Sequence, residues 1–449
     1  MLSMKYSLGA VALLSAVGVN AIEFGDDVLP QNYQDFVVRL ATTSGDYTSR
    51  CGGALIGSSY LLTARHCLDL THTGADYKGQ TGSIFIQQDV NTSADGVNAN
   101  YTVLLDGNDS AFINQWVSQA QDHFDNTVFP ADPVMSARVI DASYLAGDWA
   151  LLQLNSPMEH SSSAILSPLY DMNSHTSYLP AVSTLTFQGW GKDESGANPS
   201  TMQSTSMKIF TQWEKAETGM AVSTGDFPYF DADVGHNVPT VCTTSDPLTV
   251  LCTWDGTDRF LAWGYGNSNV AVGDSGTPLV SNNRILGIAV NESSDGSYDR
   301  FQHFTLVLDL MGSAINKLTY PNASKTVAVN STAQQTFKLA VQNFTASAET
   351  LNPMLTDATG LFSADVSDCA GQLDSLQGCM ITVTFNAAGS AITDTKVAQI
   401  DLNGADVINL KVEAKSNSTG GSTDGGSGGS FGFLSLLALM GLGLRRVRS

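Results

Sequence analysis

Three short segments carry groups that could do nucleophilic chemistry if folding brought them together. Gly273-Asp274-Ser275-Gly276 offers a hydroxyl, Thr63-Ala64-Arg65-His66-Cys67 an imidazole, and Asp148-Trp149-Ala150-Leu151-Leu152 a carboxylate. An alcohol is a weak nucleophile at neutral pH until a base takes its proton. Asp148 can fix one ring N–H of His66, His66 can then accept the Ser275 proton, and Gly273 with Ser275 can present backbone N–H groups to a developing oxyanion. Each segment also has a plainer reading. Gly, Asp and Ser all favour turns, His66 could lie in a core or on a metal, and Asp148 could cap a strand. It is the conjunction that points to chemistry.

Such groups need rigid elements to hold them. From residue 22 to about 318, short apolar runs are broken by Gly, Asn, Asp and Ser. Val37 to Leu40, Leu55-Ile56, Leu61-Leu62, Ala150 to Leu154 and Ile285 to Val290 read as strands bounded by turns. Leu308, Met311, Ile315 and Leu318 recur at three- and four-residue steps and predict a closing helix, stopped by Pro321. Residues 319–414 have another texture. Phe337, Leu339 and Val341, then Ile381, Val383 and Phe385, then Ile408, Leu410 and Val412 alternate with polar residues. That period predicts a small antiparallel β-sandwich.

The 449 residues exceed one ordinary domain. A formal charge of −22, from 21 basic and 43 acidic side chains, argues against nucleic acid as a partner and for a self-repelling surface. Residues 1–21 read as a secretory signal: Lys5 starts it, Leu8 to Val19 is apolar but too short to span a bilayer, and Val19-Asn20-Ala21 is a cleavage context. Export permits disulfides, and the cysteines fall into three close pairs, Cys51/Cys67, Cys242/Cys252 and Cys369/Cys379. No pair has ligand-like spacing, and Asp106-Gly107-Asn108-Asp109 lacks an ordered calcium-loop pattern, so neither metal nor cofactor is expected. Residues 415–430 form a Gly/Ser-rich linker, and 431–449 an apolar stretch ending in Arg445-Arg446-Val447-Arg448.

The chain order His66, Asp148, Ser275 joins two further motifs: Cys51-Gly52-Gly53-Ala54-Leu55-Ile56 followed by Leu61-Leu62-Thr63-Ala64, and Gly189-Trp190-Gly191. Together they resemble the trypsin/chymotrypsin-family serine endopeptidases. The resemblance implies a mainly β chain: a chymotrypsin-like double β-barrel over 22–318, with the site between two six-stranded barrels, followed by the sandwich. It implies peptide-bond hydrolysis of protein or peptide substrates through an acyl-enzyme. Ser275 is then the nucleophile, His66 the base, Asp148 its orienter, and Gly273 with Ser275 the oxyanion hole. Ile22-Glu23-Phe24-Gly25 resembles the start of a mature member. That likeness implies an Ile22 α-amino group paired with Asp274, so that signal cleavage itself activates the enzyme.

Departures from the family concern specificity. Thr277 and Arg65 add bulk near the triad, and Ala271 replaces a cysteine. Asn269 stands at the floor of the primary pocket, and a register by likeness puts Glu292 and Gln302 on its wall. Either Glu292 selects basic side chains, or the narrowed pocket favours small or polar ones. The stretch from Cys369 to Phe385 resembles immunoglobulin-like accessory domains of bacterial exported proteins, which implies a spacer or binding module. The tail resembles the GlyGly-CTERM sorting signal of Gram-negative bacteria. This implies export and sorting machinery as partners, trimming by a rhomboid-type protease, transient membrane or lipid attachment, and a secreted or cell-surface location. A second reading is a binding or adhesion protein on a catalytically impaired protease scaffold; a third is an esterase on the same fold.

Overall fold

The computed structural model describes Ile22 and residues 25–44, 47–68, 77–91, 94–108, 148–168, 185–193, 195–209, 229–230, 237–238, 241–246, 249–253, 259–264, 269–292, 299–304, 307–387 and 392–415. The expected signal, linker and sorting tail lie outside these residues. The described residues from Ile22 to Ala414 fall in one compact unit.

The first barrel closes through six strands: β1 (Val37–Ser44), β2 (Tyr47–Ile56), β3 (Tyr60–Thr63), β4 (Thr81–Gln87), β5 (Val97–Asp106) and β6 (Ala150–Leu154), paired in the order β1-β2-β3-β6-β5-β4 with β1 returning to β4. Ile84 and Ile86 point inward from β4 with the two-residue period a half-buried strand requires. Leu151 and Leu152 of β6 are both buried, because this strand is covered on both faces.

A second ring follows. It comprises β8 (Leu185–Gly189), β9 (Gln203–Ile209), β10 (Arg259–Gly264), β11 (Pro278–Ser281), β12 (Arg284–Glu292) and β13 (Asp299–His303), with the two-residue β7 (Ile165–Leu166) added in parallel to the start of β12. Pairing of β8 with both β9 and β11 returns the sheet on itself. Closure of this kind leaves few edges for strangers to pair with.

The closing helix α1 is shorter than its periodicity predicts. It covers Leu308–Ile315 and stops at Asn316, which adopts φ 45°, ψ 44° and donates its N–H back to the Gly312 carbonyl. A left-handed Asn is a natural helix end. Leu318 therefore lies in a strand, β14 (Leu318–Thr319), of the C-terminal sheets. The boundary expected between 318 and 319 falls inside that strand.

The C-terminal sheets are β14-β16-β19-β18 and β15-β21-β20-β17, where β15 is Ala323–Ala328, β16 Gln335–Asn343, β17 Met354–Thr356, β18 Phe362–Asp365, β19 Gly378–Phe385, β20 Lys396–Asp401 and β21 Val407–Lys415. Phe337, Leu339, Val341, Ile381, Val383 and Phe385 from one sheet meet Ile400, Ile408, Leu410 and Val412 from the other in one apolar cluster. Full burial of such side chains is worth about 1.5–3 kcal/mol each before entropy is charged. The predicted alternation is what puts them there, and the whole is mainly β, two ring-closed sheets followed by a sandwich.

Candidate active site

β3 runs straight into a 3₁₀ turn, Arg65–Cys67, that carries His66. Two clamps fix this turn. Thr63 Oγ1 donates to the Gly52 carbonyl at 2.8 Å, and Cys67 is bridged to Cys51 of β2. Asp148, immediately before β6, then uses both carboxylate oxygens on one residue. Oδ1 accepts the His66 backbone N–H at 2.9 Å, and Oδ2 lies 2.6 Å from His66 Nδ1. A carboxylate accepts only, so Nδ1 carries the proton and Nε2 presents its lone pair. The imidazole is 36% exposed and the Asp148 side chain 19%, so the ring meets solvent while its partner is shielded.

Ser275 lies against the same turn. Its carbonyl accepts from Gly52 N at 2.8 Å and stands 3.6 Å from Cys67 Sγ. The loop before it folds tightly, with Asp274 N bonded to the Ala271 carbonyl at 2.9 Å and Thr277 N to that of Asp274 at 2.9 Å. Gly273 sits at φ 111°, where a side chain is strained, and a Cβ there would lie 3.2 Å from the Gly191 backbone. Among the described residues, neither the Gly273 N–H nor the Ser275 N–H has an intramolecular acceptor. Two such donors beside a hydroxyl can stabilise an anion that develops on a bound carbonyl oxygen.

Asp274 is fully buried, its Oδ1 accepting Gly191 N at 2.6 Å and its Oδ2 Ala271 N at 3.0 Å. Ile22 is also fully buried, in the same apolar cluster as Phe187 and Val270. Ala271 stands where the family likeness has a cysteine, and its N–H contributes to holding Asp274.

Three expectations need correction. Gln302 is no part of a pocket wall: it is fully buried, and its Oε1 accepts the Asp148 N–H at 3.2 Å. The pairing of β12 with β13 slips between Ala289 and Asn291, and Glu292 stands opposite Asp299. Arg65 does not crowd the triad. Its Nε lies 3.6 Å from Asp106 Oδ2 and its guanidinium 4.3 Å over the Tyr77 ring. Thr277 finds room because Gly52 lacks a side chain; a Cβ on Gly52 would overlap its Oγ1.

Asn269 is half-buried at the start of this loop. The side chain of Glu292 lies outside the described residues. Asp299, which sequence reasoning missed, is fully buried with its Oδ2 on the Val270 N–H at 3.0 Å, next to Asn269. Only the strand register could have singled it out.

Cys369–Cys379 is bridged like Cys51–Cys67. Cys242 and Cys252 face each other on the paired strands Val241–Asp246 and Thr249–Thr253, and their side chains lie outside the described residues. Cys51, His66 and Cys67 bring possible ligand atoms within 4.8 Å of one another, but both sulfurs are consumed by their disulfide.

The trypsin family model matches residues 23–114 and 99–311. No curated protein sequence matches the chain. Among solved structures, the Vibrio cholerae VesB protease is similar at 16% identity, over 88% of this chain and 100% of that one, with a TM-score of 0.37. An inactivated protease paralogue of the scabies mite, S-D1, aligns at 15% identity over 66% and 97%, with a TM-score of 0.40. The secreted serine protease VesC of Vibrio cholerae aligns at 14% over 87% and 71%, with a TM-score of 0.37.

Proposed function

The chain belongs to the trypsin family, and from that premise we propose that it is an exported serine endopeptidase working through Ser275, His66 and Asp148. The observation that carries this reading is the double grip of Asp148 on His66, at 2.9 Å to its N–H and 2.6 Å to Nδ1. That grip leaves Nε2 as the base. The Ser275 O–H bond breaks toward Nε2 as Oγ attacks the peptide carbonyl, and the carbonyl electron pair moves to an oxyanion met by the Gly273 and Ser275 N–H groups. The imidazolium then protonates the leaving amine, giving an acyl-enzyme. Water, deprotonated by the same Nε2, releases the acid and restores Ser275.

Asp148 stays ionised throughout and stabilises the imidazolium while it exists. Gln302 keeps it in place from behind, through the bond to its N–H.

Signal removal after Ala21 would create an α-ammonium on Ile22, whose side chain is buried in the same apolar cluster as Phe187 and Val270. A cation paired with the buried Asp274 carboxylate would hold the Gly273–Ser275 loop in its working form. We assign the tail beyond 415 to sorting at the surface of a Gram-negative cell.

The pocket is read as one for cationic side chains. Asn269 supplies no charge, but the Asp299 carboxylate adjoins it through Val270, and Glu292 occupies the position opposite Asp299. A fluorophosphonate probe tests the chemistry and a peptide library the pocket. Label on Ser275 that vanishes in Ser275→Ala, with cleavage after Lys or Arg, is expected. Unlabelled, folded, correctly processed protein would refute the hydrolase reading; label with cleavage only after small residues would refute the pocket alone.

A further inference from the structure

The C-terminal sheets are bolted to the segment that joins the two barrels. Residues 158–167 leave the first barrel and enter the second at β7, and β16 runs alongside them. Lys338 N donates to the Ser161 carbonyl at 3.2 Å, and Ser163 N to the Lys338 carbonyl at 2.8 Å. Ala340 N donates to Ser163 Oγ at 2.6 Å. Gln342, itself buried, then copies a strand partner with its side chain: Oε1 accepts Leu166 N at 3.0 Å, and Nε2 donates to the Leu166 carbonyl at 2.7 Å and the Leu376 carbonyl at 3.1 Å.

Apolar contacts follow the same seam. Gly378 leaves the space Ile165 fills, since a Cβ there would fall 2.7 Å from Ile165 Cγ2. Phe344 leaves the sandwich core altogether and is buried with Leu308, Met311 and Ile315 of α1.

This seam leads to the nucleophile. Leu166 pairs with Ile285 at the start of β12. Further along that strand, the Ala289 carbonyl accepts Gly276 N at 2.7 Å and the Ala289 N–H donates to the Thr277 carbonyl at 2.9 Å. The base is held by the first barrel, which also bonds the Ser275 carbonyl through Gly52 N at 2.8 Å. The relative placement of Ser275 and His66 therefore depends in part on the segment that β16 grips.

We infer that the C-terminal sheets are a working part of the protease, with Gln342 a positioning residue that sets the seat of β7 and through it the nucleophile loop. The catalytic half of this inference rests on the hydrolase reading; the grip on Leu166 does not. This differs from the spacer or binding module that the sequence suggests.

The test compares Gln342→Met, which keeps the length but loses every side-chain hydrogen bond, with Ile400→Val, a buried change in the opposite sheet. Fluorophosphonate labelling rate, kcat and KM on an ester substrate, and amide exchange at Leu166 are measured on the full processed chain. Gln342→Met should lower kcat and labelling about tenfold or more with KM unchanged, as small misplacements of reacting groups do. Exchange at Leu166 should rise about tenfold with the loss of its acceptor. Ile400→Val should leave kcat and Leu166 exchange alone. Ser163→Ala, a milder cut in the same seam, replaces Gln342→Met should that variant not fold, with the same direction expected.

Unchanged kcat together with unchanged Leu166 exchange in the seam variants overturns the inference. So does an equal loss of kcat in Ile400→Val at an equal melting shift, which would mark a plain stability effect. A wild type that takes no label retires the hydrolase reading, and the positioning role with it, even where Leu166 exchange reports the grip.

Discussion

Replacing Asp148 with Asn changes one atom and asks whether the site works as argued. Both carboxylate oxygens are engaged with His66, at 2.9 Å and 2.6 Å. An amide has one acceptor and one donor end. With its oxygen on the His66 backbone N–H, its NH₂ faces Nδ1 and drives the ring proton to Nε2, which can no longer take the serine proton. Flipped, the amide serves Nδ1 but sets two donors face to face, leaving a partly buried N–H unpaired at about 1–3 kcal/mol. Either way, the imidazolium loses a facing charge, worth about 4 kcal/mol for unit charges some 4 Å apart at an effective dielectric near 20. The ring is 36% exposed, which screens part of that. A barrier rise of about 4–6 kcal/mol is a loss of about 10³- to 10⁴-fold in kcat. Steady-state hydrolysis of an ester substrate, with thermal melting as the folding control, reads it directly. Asp148→Asn protein that is folded and turns over within tenfold of the parent would end the argument that this carboxylate sets the tautomer.

Three other outcomes are expected. Gly52→Ala should cost about 1–3 kcal/mol by overpacking, because the new Cβ falls 2.9 Å from Thr277 Cβ, and Thr277→Gly in the same chain should recover most of it; equal stability of Gly52→Ala and parent in urea titrations would contradict the fit. One extra residue before Ile22 in the mature protein should abolish turnover, and full activity would disprove activation by the new N-terminus. Asp357 is pulled upward by burial, yet hydrogen bonds from Thr359, Phe362 and Leu361 leave its pKa below the usual 3.8. A folded pKa below the unfolded one stabilises above the unfolded value, and the gain fades as pH falls through the lowered one. Asp357→Asn should therefore melt slightly lower at pH 7, with the gap closing below pH 3.8; a gap independent of pH would refute this.

Much of the site was legible because its chemistry is local. Cys51-Gly52-Gly53 and Thr63 to Cys67 are joined by a disulfide and by the Thr63 hydroxyl on the Gly52 carbonyl, so motif and geometry coincide. The sandwich was legible as well, since alternation of Phe337, Leu339 and Val341 fixes a face whatever the fold around it. What could not be read depends on distant partners. A slip of one residue at Val290 sets which acid faces Glu292, and no spacing from Ser275 announces it. Gln302 looks like any strand residue until its side-chain Oε1 accepts the Asp148 N–H. Arg65 reads as bulk until Asp106 and Tyr77, far along the chain, claim it. Asn316 ended the helix through backbone conformation, while the apolar period ran on to Leu318.

The Cys51–Cys67 bridge gives the molecule a dependence on redox surroundings. Its two ends touch both reacting halves: Cys67 follows His66, while Gly52, next to Cys51, holds the Ser275 carbonyl and makes room for Thr277. Closing a loop of 16 residues restrains the unfolded chain by about 3 kcal/mol. With two thiols in its place, the base and the alcohol lose a common anchor together. A chain still in reducing surroundings would thus lack that anchor, and oxidation would restore it.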